Sequence, residues 1–252
     1  MKTIFGPVKS RRLGISLGIN LLPETLKICN FDCIYCECGL NNEHSGNKSF
    51  KTRTQIYIEL DAKLAEMESS GETIDTITFA GNGEPTLHPE FAEIIDDTIA
   101  LRNKWFKNTK ISVFSNATML HKSDVFLALK KVDKPILKLD AGIYKTIESI
   151  NQPVGEFNLD KLIDNLQQFE GKLTIQTMFT RGMVNGKMID NTKLTDLVAW
   201  QNAVESINPQ EIMIYTIDRD TPYNGLAKVS NEELENIAKK VWRENRKVSV
   251  HS

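Results

Sequence analysis

The chain has 252 residues, 40% of them hydrophobic and 25% charged, with 31 Lys and Arg set against 33 Asp and Glu for a net charge of −2. This is a globular composition with enough apolar mass for a core, and its charge balance excludes a bulk electrostatic footprint for nucleic acid while leaving room for a local basic site. No apolar run approaches the ~18 residues of a membrane span, and "MKTIFGPVKSRR" lacks the apolar stretch of a signal peptide, so a cytoplasmic protein with no membrane partner is expected.

In chain order, the first apolar run is "GISLGINLL" (14–22), followed by a long polar loop and then a helical pattern over 53–69 with Ile56, Leu60, Leu64 and Met67 on one face. Further runs follow at "TIDTITFAG" (73–81), "TKISVFSNA" (109–117), "KPILKLDAG" (134–142), "GKLTIQTMFT" (171–180) and "EIMIYTID" (211–218). They are rich in Ile, Val, Thr, Phe and Tyr, as strands are. A last helix is expected over about 230–247, opened by the capping box Ser230–Glu233 and carrying Leu234, Ile237 and Val241. Six strand-then-helix units at crossover spacing argue for a parallel sheet with outer helices. The expected fold is therefore α/β, a partial (β/α)6 TIM-like barrel in one domain spanning 1–252, with a six-stranded doubly wound sheet as the alternative.

Alternation assigns faces. In "ILKLDA", Leu137, Leu139 and Ala141 face the helices, and Lys138 and Asp140 face the barrel interior. In "LTIQTMFT", Leu173, Ile175 and Phe179 share one face, while Gln176 and Met178 share the other. Polar groups inside a barrel need partners, either a polar ligand or one another.

All four cysteines fall in ten positions, Cys29, Cys33, Cys36 and Cys38, within a loop spanning 23–50 that ends in the polar stretch "GLNNEHSGNKS". A loop of this length is more often functional than idle. Three thiolates at Cys29-x3-Cys33-x2-Cys36 suit three irons of a [4Fe–4S] cube, leaving the fourth iron open to a small molecule. Cys38, two residues after Cys36, reads as a bystander. Zinc is the rival metal, with His44 as a recruit, though the usual second ligand pair is missing. A redox disulfide between Cys33 and Cys36 leaves Cys29 unexplained, and inert core cysteines sit poorly beside Asn30, Asp32 and Glu37.

The three-cysteine motif, with Tyr35 just before its last cysteine, resembles the signature of the radical S-adenosylmethionine superfamily. The flanking "GPVKSRRLGISLGINLLP" and "AGNGEPTLHPE" resemble its Fe–S oxidoreductase subgroup, related to the tRNA-wybutosine-synthesis radical enzymes, over positions 5 to about 220. The resemblance implies that Cys29, Cys33 and Cys36 ligate one [4Fe–4S] cluster whose open iron chelates S-adenosylmethionine. One electron then cleaves the sulfonium to a 5′-deoxyadenosyl radical that abstracts hydrogen from a substrate. It places Tyr35 near the adenine. It also assigns the "GNGEPT" turn, with Asn82 where the family has a glycine, and its Gly83 and Glu84 to the methionine amino group. Ser115 and Asn116 in "FSNAT" then lie near the carboxylate and ribose, although a turn or helix cap is an equally simple reading.

Asp140 is a candidate for the ribose hydroxyls, with Lys138 either its partner or a substrate contact. Gln176, Met178 and Tyr215 would line the upper barrel, and the family's strand-five glycine motif is absent from "LTIQTMFTRG". Arg11 and Arg12 suit a substrate carboxylate or phosphate, or simply form a solvated basic turn. His88 and His121 read as helix-start or surface residues, and Trp105, Trp200 and Trp242 as packing. Three functions remain: a radical enzyme acting on a small molecule or modified nucleotide, an activating enzyme that places a glycyl radical on a partner protein, and a non-catalytic zinc or iron–sulfur module. Either enzyme needs an external one-electron donor of flavodoxin or ferredoxin type. With no cysteine outside the loop, a second cysteine-held cluster is excluded.

Overall fold

Six of the strands in the computed structural model begin within three residues of the runs read from sequence. The structure describes residues 1–43 and 49–252, so His44 lies outside the described residues. The described chain divides into two compact units, each dominated by parallel strands and the helices that follow them.

The first unit comprises residues 1–29, 42–115 and 119–135. Strand β1 (Ile4–Ser10) pairs antiparallel with β2 (Gly14–Ile19). Helix α1 (Arg53–Ser70) starts at a capping box in which Thr52 accepts from Gln55, and it buries the expected stripe Ile56, Leu60, Leu64 and Met67. Strand β3 (Thr76–Phe79), helix α2 (Phe91–Trp105), strand β4 (Lys110–Ser115) and helix α3 (Ser123–Lys131) follow. Strands β2, β3 and β4 lie side by side and parallel.

The second unit comprises residues 30–41, 116–118 and 136–252. Strand β5 (Lys134–Lys138) enters it, followed by α4 (Tyr144–Asn151), α5 (Leu159–Gln167) and β6 (Thr174–Met178). The hairpin of β7 (Thr180–Val184) and β8 (Lys187–Asp190) leads to α6 (Leu194–Ile207) and β9 (Glu211–Tyr215). Strand β10 (Leu226–Lys228) pairs with β7, and α7 (Asn231–Val241) and β11 (Lys247–His251) complete the unit. Strands β5, β6, β9 and β11 are parallel neighbours in that order.

Within each unit every major strand is added beside its predecessor and in the same direction. A doubly wound sheet would instead reverse its strand order at a switch point. Burial is continuous along the strands: all four residues of β3 and all five of β6 are buried, as expected of parallel strands covered on both faces.

The C-terminal helix is shorter than expected. It stops at Val241, and Trp242 turns to extended backbone. Trp242 is 59% exposed, a correction to its reading as packing, whereas Trp200 is buried on Phe179 and Trp105 is half-buried with its Nε1 donating to Asp61. The expected last turn is replaced by Arg246, a buried guanidinium that donates to Glu205, Asn208 and the carbonyls of Pro209 and Val241. Satisfying those donors needs a turn rather than a helix here.

Candidate functional site

In the first unit, the "GNGEPT" turn leaves the end of β3. Gly83 has φ +130, and a Cβ there would stand 2.0 Å from the Ile28 carbonyl oxygen. Only glycine permits this approach. The approach is a short parallel bridge: Ile28 N donates to Asn82 O at 3.0 Å, and Glu84 N donates to Ile28 O at 3.0 Å. The residue before Cys29 is thereby fixed to the residue before Glu84.

Asn82 supports the same arrangement. Its side-chain nitrogen donates to Pro23 O and Glu24 O, and its backbone nitrogen donates to Asn20 Oδ1. Glu84 is 2% exposed, and its Oε1 accepts from Thr86 N, Thr86 Oγ1 and Ser115 Oγ, the last at 2.8 Å. These amide and hydroxyl donors orient the carboxylate within the turn. His88, at the end of this turn, is buried rather than on the surface, with Nε2 at 2.8 Å from Lys51 O. Burial pushes its imidazole below the ordinary histidine value. Arg11 is exposed and Arg12 half-buried in the β1–β2 turn, where the Arg12 guanidinium lies 4.7 Å over the Phe114 ring.

In the second unit, main-chain bonds dock the following stretch of loop onto the end of α4. Asp32 N donates to Asn151 O and Ile34 N to Ile150 O, both at 2.9 Å, and Val154 N donates to Asn30 O. Cys36 N donates to Cys33 O at 3.0 Å, closing a tight turn between two of the cysteines. Asn116, expected at a cofactor, donates from Nδ2 to Asn30 Oδ1 at 2.7 Å and accepts from Thr118, which places it in a turn that orients Asn30.

The side chains beneath Cys33 form one polar network. Asp140, 1% exposed, accepts at Oδ2 from the Tyr35 hydroxyl and from Asn151 Nδ2, the latter at 2.6 Å, and at Oδ1 from Met178 N at 2.9 Å. Lys138 Nζ donates to Tyr35 OH at 2.9 Å and Tyr215 OH at 3.1 Å and lies 3.5 Å from Asp140. Lys138 and Asp140 thus share a face, as alternation predicts, and they pair. Burial works to lower the Lys138 ammonium, but Asp140 and then Tyr215 outweigh it and hold the group above the ordinary lysine value. Burial, then Asp140, pushes the Tyr35 phenol well up. The Cys33 thiol is pushed up to about 11 by burial, partly opposed by Lys138.

Gln176 and Met178 are buried on β6, and Tyr215 is half-buried on β9. Asn151 and Asn191 were not singled out by sequence. Asn191 donates to Asp140 O and Met178 O and so spans the ends of β5 and β6. Asn151 alone carried a signal, as a polar residue on the buried face that α4 shares with Ile147 and Ile150.

No disulfide links the four cysteines. Among the described residues no three His, Cys, Asp or Glu side chains form a group that would hold a metal ion as they stand. The donor chemistry nevertheless fits an iron–sulfur cube. The cysteine loop offers thiols, an amide N–H is already directed at the Cys33 sulfur, and Lys138 favours its thiolate. Iron would displace the proton that burial keeps on Cys33.

A family model described as the radical SAM superfamily matches residues 24–184. Among curated proteins, one from Brachyspira hyodysenteriae named GTPase Obg is 30% identical over 99% of this chain, and this chain spans only 35% of that protein. Among solved structures, a radical SAM methyltransferase from Sphaerobacter thermophilus shares the fold with TM-score 0.67 at 14% identity, over 94% of this chain and 65% of that one. The structure of TYW1 with a lysine-pyruvate adduct bound gives 0.62 at 14% identity, over 90% and 72%. The expected partial (β/α)6 TIM-like barrel is the fold of these matches, and the expected kinship with TYW1 holds at the level of fold. Among the described residues no helix is long and apolar enough to cross a membrane.

Proposed function

Because this chain belongs to the radical S-adenosylmethionine superfamily, we propose that Cys29, Cys33 and Cys36 hold its single [4Fe–4S] cluster and that Glu84 receives the amino group of S-adenosylmethionine. The chain is a radical S-adenosylmethionine enzyme, and its cofactors are that cluster and S-adenosylmethionine, which together supply a 5′-deoxyadenosyl radical. Enzymes of this superfamily draw the electron from an external donor, here a flavodoxin- or ferredoxin-like protein. The hydrogen comes from a small molecule or a modified nucleotide.

The observation that carries this reading is the bridge between Ile28 and Gly83. It ties the approach to the first cysteine directly to a buried carboxylate that Thr86 and Ser115 hold in place. A buried carboxylate held in a fixed orientation can accept a charge-assisted hydrogen bond from an incoming ammonium. Asp140 has less to offer a ribose than its position on the strand implies, because both its oxygens already have protein partners. Its role in this reading is to hold Tyr35 and Lys138.

The test is anaerobic reconstitution of the full chain with iron and sulfide, followed by dithionite and S-adenosylmethionine. The expected product is 5′-deoxyadenosine, absent in Cys33→Ala and reduced, with a raised KM for S-adenosylmethionine, in Glu84→Gln. A chain that takes up zinc, or a cluster that leaves S-adenosylmethionine intact, would overturn the reading in favour of a metal-stabilised binding module.

A further inference from the structure

We propose that Asn151 is a positioning residue for the cluster ligand Cys33, and that the hydrogen bond from its amide to the Cys33 sulfur sets the electron affinity of the cluster. This rests on Cys33 being a cluster ligand, as proposed above.

The contact is 3.3 Å from Nδ2 to Sγ. The amide orientation is not arbitrary. Nδ2 also lies 2.6 Å from Asp140 Oδ2 and 3.2 Å from the Tyr35 hydroxyl, and a carboxylate can only accept. A flipped amide would set oxygen against oxygen, so the nitrogen must face Asp140 and, with it, Cys33. One of its two hydrogens serves Asp140, and the other is shared between the sulfur and the tyrosine oxygen.

The backbone enforces the same geometry. Asp32 and Ile34, the two neighbours of Cys33, donate their N–H groups to the carbonyls of Asn151 and Ile150. Cys33 is therefore locked to the same turn of α4 that presents the amide. Asn151 itself is fully buried, and among the described residues its Oδ1 has no hydrogen-bond partner. A buried, unsatisfied acceptor is a cost that an apolar residue would avoid. What asparagine adds at this position is the donor.

A donor directed at a ligating sulfur stabilises negative charge there, more strongly in the reduced cluster than in the oxidised one, and so raises its reduction potential. The other charged groups facing the sulfur, the Lys138 ammonium and the Asp140 carboxylate, are tied to each other.

The experiment compares the reconstituted wild-type chain with Asn151→Leu, which keeps a branched side chain but no donor, and with Asn151→Asp, which keeps the shape. Trp200→Phe serves as the control. It breaks the Nε1 bonds to Leu139 O and Thr177 Oγ1 in the same unit without touching a cysteine. Iron and sulfide are counted first, and the midpoint is then read by electron paramagnetic resonance during a redox titration without S-adenosylmethionine. In Asn151→Leu the equilibrium constant for reduction is expected to fall about tenfold, which for one electron is about 59 mV. Asn151→Asp should fall at least as far, and Trp200→Phe should keep the wild-type midpoint. A loaded Asn151 variant with an unchanged midpoint overturns the inference. So does a folded variant that takes up no iron when Trp200→Phe does, because Asn151 would then hold the cluster rather than tune it. A wild-type chain that binds no cluster instead defeats the reading on which the inference rests.

Discussion

Up to Cys29 the cysteine loop is gripped at its main chain: a two-bond bridge to the Gly83 turn, an approach only glycine allows, and the Asn82 side-chain amide on two carbonyls. From Asn30 onward main-chain bonds to α4 are joined by a buried set of ionisable side chains, Tyr35, Lys138 and Asp140, closed by Asn151. The two arrangements fail differently. The first is sensitive to any atom added at Gly83. The second tolerates small changes of shape but not a broken charge balance, because the Lys138 ammonium and the Asp140 carboxylate face each other within it.

The sharpest test of this contrast is Lys138→Met, which leaves the Asp140 carboxylate buried without its cation and should cost about 3–5 kcal/mol in urea unfolding. Adding Asp140→Asn should restore part of that loss. An equal or larger loss in the double variant would break the account of the second unit as charge-balanced. Next in size, Gly83→Ala should destabilise by about 2–3 kcal/mol through strain and contact with Ile28, and the loss should be the same at low and high salt. A marked salt dependence would contradict a purely steric cause. Asn82→Ala removes two partly exposed bonds to Pro23 and Glu24 and should cost about 1 kcal/mol. Smallest is a pH effect in the first unit. The folded state holds His88 neutral, with its pKa below the ordinary value of about 6.5, while the unfolded chain protonates at that value. The stability is present in full above pH ~6.5 and is lost as pH falls through that value toward the lowered one. His88→Gln should flatten that slope in acid unfolding curves.

The six central strands were legible because buried parallel strands are uninterrupted β-branched runs between turn residues. Strand β1 was not, since its Gly6–Pro7 pair reads as a breaker and edge strands tolerate it. The β7–β8 hairpin carried a signal that a search for apolar runs passes over. Asn185 and Gly186 both have positive φ, the turn that an Asn–Gly pair favours between antiparallel strands. At the site, the cysteine spacing and "GNGEP" were local and therefore readable. Asn151 meets a sulfur 118 positions away, and Asn191 meets the Asp140 carbonyl 51 positions away. Such pairs arise from the fold, and a single sequence has no period or spacing that records them.

The three tryptophans also give the molecule distinct optical reporters. Trp105 is the one indole of the first unit, half-buried with its N–H on a carboxylate. Trp200 lies dry against Phe179 in the second, and Trp242 faces solvent there. Iodide should quench the red emission of Trp242 first and leave the blue emission of Trp200 untouched. With Trp242→Phe, each unit keeps a single indole, and the melting of one can be watched against the persistence of the other.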